Sequence, residues 1–182
     1  MTSGNQPTLW QRYQTWRTNE TGQEEERREI RSRFQPLMDQ TLSAGEVVDV
    51  DTFGIEVPTG GDEYLQGYLG KKGLLGVAGM VVLGTRTPLA YLALTRQRLI
   101  LLRQTAGAKD VFKSQAQRPL PEFGWAVPRS VLTLEHFKKY RAGTEAKLRI
   151  RRADEGTLWR FQIVNPWIES AERLATKLRS GG

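Results

Sequence analysis

The chain contains no cysteine, which excludes a disulfide framework and thiolate chemistry and suits a reducing compartment. It has one histidine, His136. No serine–aspartate arrangement lies near it in the sequence, so a hydrolytic triad is not expected. Without further histidines, the acidic pair Asp49 and Asp51 reads as a solvated strand face in preference to a metal site. Long apolar runs are also missing. The uncharged stretch Gly73–Thr85 falls well short of the roughly 20 residues that span a bilayer. Extending it to Leu94 would bury Arg86, at about 2.5–3.5 kcal/mol. The N-terminal MTSGNQPTLW lacks a basic start followed by an apolar segment, so no signal peptide is expected. The sequon Asn19-Glu20-Thr21 then reads as chance, and the expected location is cytoplasmic.

What is present is positive charge, unevenly placed. Residues 1–95 hold 9 Lys and Arg against 12 Asp and Glu, whereas residues 96–182 hold 18 against 8. The basic character therefore belongs to the second half, which points either to a polyanionic partner or to a soluble basic surface.

Glycine is also concentrated. It occupies positions 67, 70, 73, 76 and 79 of GYLGKKGLLGVAGMVVLG. A phosphate-binding P-loop is excluded, because Lys71 is followed by Lys72 in place of Ser or Thr, and Leu65 stands where the first glycine belongs. Collagen needs proline and many more triplets. A helix would lose roughly 4–5 kcal/mol relative to alanine. An extended, polyproline-II-like segment fits a period of three best. Its Leu74, Leu75, Val77 and Met80 either fold back over a core or dip into a membrane interface.

Periodicity outlines the elements. Leu9, Trp10, Tyr13 and Trp16 share one helical face over residues 6–18, where the tryptophans read as packing anchors. A second helix is expected over 22–40, with Ile30, Phe34, Leu37 and Met38 as its apolar stripe and Pro36 as a kink or stop. These helices form an extension, residues 1–43. From residue 46 the period becomes two. Strands are expected at 46–57, 89–95, 98–104, 123–128, 131–139, 146–152 and 157–164, with Val48, Val50 and Phe53 sharing one side of the first. Asn165 is expected to cap a last helix with Pro166 in its first turn and Trp167, Ala171, Leu174, Ala175 and Leu178 buried. The class is α+β, mainly antiparallel β, with about seven strands over 44–180.

The phrase YLALTRQRLILL (91–102), the Gly45-Glu46 approach to the first strand and the single closing helix resemble bacterial pleckstrin-homology-like and GRAM-like domains over about residues 44–179. That resemblance implies a partly open barrel of two orthogonal sheets, capped by the C-terminal helix. It implies a binding module for phosphoinositides, other lipids or proteins, without catalysis or cofactor. In the lipid-binding branch the loop between the first two strands clasps phosphate, here with Lys71 and Lys72. The basic pattern usual on the second strand is absent, since Leu89–Thr95 carries no Lys or Arg.

The sequence thus nominates Lys71, Lys72, Arg86 and Arg96 for anion or lipid binding. Leu74, Leu75, Val77 and Met80 are candidate membrane contacts. A basic stripe is expected from Lys138, Lys139, Arg149, Arg151 and Arg160, with Arg141, Lys147 and Arg152 beside it. The expected function is non-enzymatic engagement of an anionic membrane surface or a protein partner, with a peripheral position at the membrane when bound. The alternative is a basic nucleic-acid-associated protein, for which neither a recognition helix nor an RNA-binding aromatic motif is visible. No metal or cofactor is expected.

Overall fold

The structure, a computed structural model, describes residues 20–57, 87–106, 119–140 and 145–180. Helix α1 (Glu20–Thr41) leads into strands β1 (Val48–Glu56), β2 (Thr87–Thr95), β3 (Arg98–Ala106) and β4 (Glu122–Pro128). A single 3-10 turn, Arg129–Val131, then joins β5 (Leu132–Tyr140), β6 (Glu145–Arg152), β7 (Leu158–Val164) and helix α2 (Ile168–Arg179). The expected helix at 6–18 and the glycine stretch at 67–84 lie outside the described residues.

All seven strands belong to one antiparallel sheet in the order β4-β3-β2-β1-β7-β6-β5. Its two edge strands, β4 and β5, are consecutive in the chain, so the sheet is rolled but not closed. The register reveals the direction of the roll. Thr52, Leu92, Leu101 and Trp125 are successive cross-strand partners and share one face. Trp159, paired with Ile150, stacks on Trp125 with ring centroids 4.1 Å apart. That contact joins β4 to β7 across four strand intervals and marks this face as concave.

Alternation then sorts the side chains. Leu148, Ile150, Phe161 and Ile163 line the concave side and are fully or almost fully buried. Gly54 lies where β1 passes β7, and a Cβ there would sit 2.6 Å from both the Gln162 carbonyl oxygen and Ile163 Cδ1. Because one obstacle is backbone, the strands must shift to accept a methyl. Gly54→Ala is expected to cost about 1–3 kcal/mol, read as a lower denaturation midpoint.

On β1–β3 the convex side is buried as well. Leu99 to Leu102 have no exposed surface, because α1 lies over the face that carries Phe53, Tyr91 and Ala93. Phe34 stacks on Tyr91 at 4.9 Å and meets Phe53 edge-on at 5.9 Å. Ile30 and Met38, one helical turn on either side, are buried with it. The helix continues through Pro36 to Thr41, so Pro36 does not end it as one alternative had it. Pro36 is exposed, on the side of the helix away from the core.

Helix α2 begins two residues later than expected. Trp167 N–H donates to the Val164 carbonyl at 3.0 Å, closing a tight turn through Asn165 and Pro166. Asn165 therefore belongs to the turn, and Trp167 takes the cap position. The anticipated stripe is buried, together with Ile168 and Ser170. Trp167 passes the part of β1 that β7 leaves unpaired. Its carbonyl accepts from Thr52 Oγ1 at 3.2 Å, while its ring meets Phe53 and Tyr91 at 6.0 and 6.3 Å.

A basic strand face as candidate site

The phrase that carried the family resemblance is structural at its core. Arg96 and Gln97 form the loop of the β2–β3 hairpin. The Thr95 hydroxyl accepts from the N–H groups of Gln97 and Arg98 at 3.2 and 3.1 Å. Arg98 turns back to the chain before β1, donating to Glu46 through Nε (2.9 Å) and Nη2 (2.6 Å) and to the Thr41 carbonyl (2.8 Å). Gly45 supplies the turn into Glu46 with φ +77°. The Glu46 side chain is 2% exposed. Hydrogen bonds from Arg98 outweigh burial and hold its carboxyl at about 2, against an ordinary 4.5. Arg98 is therefore a strut, and Arg96 stays exposed in the turn.

Asp51 corrects the reading of a solvated acidic face. A bulge between Val48 and Val50 removes Asp49 from regular pairing, and Asp51 shares the convex side with Phe53. Phe53 thus lies opposite Val50 and not beside it. Arg31 donates to both Asp51 oxygens at 2.7 and 2.8 Å, and the Tyr91 hydroxyl donates to the same carboxylate. Burial pushes the Asp51 carboxyl up, yet the bonds from Arg31 and Tyr91 prevail and hold it below its ordinary value. Arg31 also lies over the Trp167 ring at 5.4 Å. This cluster clamps α1 onto the sheet. Asp49 lies 3.9 Å from Lys177 of α2.

The convex face of β5–β7 is the one place among the described residues where cations gather in register. Lys138, Lys147 and Gln162 are cross-strand partners, as are His136, Arg149 and Arg160, followed by Thr133, Arg151 and Leu158. Neighbouring strands are about 4.8 Å apart and alternate residues about 6.8 Å, so the cations form a compact lattice. Two acids share the face. Glu135 pairs with Arg151, and Glu145 accepts from Gln162 at 3.4 Å. Five Lys and Arg against these two acids leave the face net positive.

Of the predicted stripe, Lys138, Arg149, Arg151 and Arg160 come together here, and Lys139 does not. A bulge between Leu134 and His136 turns the end of β5, placing Lys139 opposite Ala146 on the other face. There it pairs with Glu172 of α2 at 2.5 Å. The same bulge brings His136 out among the arginines, where strict alternation would have sent it inward. A signal for it exists in the sequence: the apolar spacing in LTLEHF is two from Leu132 to Leu134, then three to Phe137. Tyr140 ends the face with Lys138 and Lys147 nitrogens 5.0 and 5.4 Å from its ring centroid. Lys71, Lys72, Leu74, Leu75, Val77, Met80, Arg86 and Arg141 lie outside the described residues.

Among the described residues no helix is long and apolar enough to cross a membrane, and no three His, Asp or Glu cluster as metal ligands would. No protein-family model, curated protein or solved structure matches the chain.

Proposed function

We propose that the chain is a non-catalytic binding module of pleckstrin-homology-like architecture that docks on an anionic membrane surface. Support for the architecture comes from the strand order, the consecutive edge strands and a helix seated where β1 and β7 part. The observation that carries the function is the registered basic lattice on the convex face of β5–β7. Lipid phosphates need only a dense positive face, worth about 1 kcal/mol per basic residue near the surface. Base recognition needs an exposed ring or a reading element. Tyr140, the aromatic residue of this face, already carries a lysine nitrogen at 5.0 Å, which favours headgroups over nucleobases. The glycine stretch between β1 and β2 enters the reading through Lys71 and Lys72 as a second contact.

The test is co-sedimentation with phosphatidylglycerol-containing and purely phosphatidylcholine vesicles, beside a gel shift with a random-sequence duplex, each across a salt series. We expect pelleting with anionic vesicles alone, lost in Arg149→Glu/Arg151→Glu and weakened in Lys71→Glu/Lys72→Glu. A salt-steep gel shift without pelleting would replace the membrane by nucleic acid. Neither signal would leave a protein partner as the ligand class.

A further inference from the structure

We infer that His136 makes anion binding by the β5–β7 face proton-linked, so that docking strengthens as the pH falls through the histidine range. This rests on the membrane-docking reading and names its regulation. His136 is the chain's single histidine, and the β5 bulge sets it opposite Arg149 and in line with Arg160.

Its charged neighbours can be named on each element. On β5 they are Glu135 and Lys138; on β6, Glu145, Lys147, Arg149 and Arg151; on β7, Arg160. Helix α2 meets β5 on the opposite face, where Glu172 is paired with Lys139. Glu135 is paired with Arg151. The imidazole therefore faces a predominantly cationic surround. An anionic surface laid across the lattice reverses that local potential and favours the imidazolium. Binding must then take up a proton, and by reciprocity protonation must tighten binding.

The linkage has one expected source, because histidine is the side chain that ordinarily changes charge between about pH 5 and 8. Phosphodiester headgroups do not titrate in that interval. A tenfold gain in proton affinity on docking gives about a tenfold gain in vesicle affinity between about pH 8 and 5.5.

The experiment is co-sedimentation of the full chain with phosphatidylglycerol/phosphatidylcholine vesicles at fixed salt, from about pH 8 to 5.5. The wild type should gain about tenfold in affinity. His136→Gln should bind at every pH as the wild type does at the alkaline end. His136→Lys should bind throughout as the wild type does at the acid end, and it carries the test if the glutamine variant fails to fold. A wild-type gain below about twofold, or an equal gain in His136→Gln, overturns the linkage while the docking reading stands. Absence of pelleting at every pH overturns both.

Discussion

Phe34→Ala is expected to lower the unfolding free energy by about 3–5 kcal/mol, the largest loss for any single truncation in α1. The ring is fully buried and lies parallel to Tyr91, with centroids 4.9 Å apart and planes 11° from parallel. Phe53 closes one edge. Removing it opens a void between a helix and a sheet that already hold each other by the Arg31–Asp51 clamp. The helix cannot settle into that void without breaking the bidentate pair. The cavity therefore persists, which places the loss toward the upper part of the range. Leu37→Ala, one position off the buried stripe and only half-buried, should cost markedly less. Chemical denaturation followed by circular dichroism measures both. Equal, small losses would mean that α1 does not cover the β1–β3 sheet as described.

Arg98→Met should be comparably costly, at about 3–5 kcal/mol, for an electrostatic reason. It leaves the Glu46 carboxylate buried without its bidentate partner and deprives the Thr41 carbonyl of its donor. Replacing Glu46 by Gln in the same chain should recover part of the loss, because the uncompensated charge is then gone. The pH dependence follows with a definite sign. A carboxyl whose folded value lies below its unfolded value contributes stability above the unfolded value and loses it as the pH falls through the folded one. For Glu46 that window runs from 4.5 down to about 2, and the stability it contributes is lost across it. Asp51, held low by Arg31 and Tyr91, acts in the same direction. Thermal melts of the wild type should therefore fall steeply over that interval. In Arg98→Met the Glu46 share of the slope should shrink, since only the Ser43 N–H and the Thr95 hydroxyl then donate to its carboxylate. An unchanged acid limb in the variant would contradict the strut.

The strands were legible because their chemistry alternates. All seven expected runs became strands, and KLRIR and LWRFQI sort into concave and convex faces as their pattern indicates. RLILL had no alternation to read, since α1 covers its second face. An apolar run declares burial without saying by what. Two of the errors come from bulges. The bulge at Asp49 put Val48 on the face opposite Val50, and the one at Glu135 exchanged the fates of His136 and Lys139, whereas Phe53, three regular residues after Val50, lies opposite it by plain alternation. A period of two cannot survive an inserted residue, so every side chain beyond it changes face. Asp51 was misread for another reason. Its partner, Arg31, lies on a helix 20 residues earlier, and no local pattern announces a pair made by tertiary packing. The basic lattice was visible as a list of cations, and only the register turned the list into a surface.

Whether that surface docks on lipid is tested most directly by vesicle affinity at matched net charge. Lys138→Glu/Arg149→Glu and Lys177→Glu/Arg179→Glu alter the total charge by the same amount. The first pair lies on the β5–β7 face and the second on the last turn of α2. The account predicts that the face variant loses about a hundredfold or more in affinity for phosphatidylglycerol vesicles, while the helix variant stays within about threefold of the wild type. Equal losses in the two would show that net charge alone drives binding and would contradict a dedicated face.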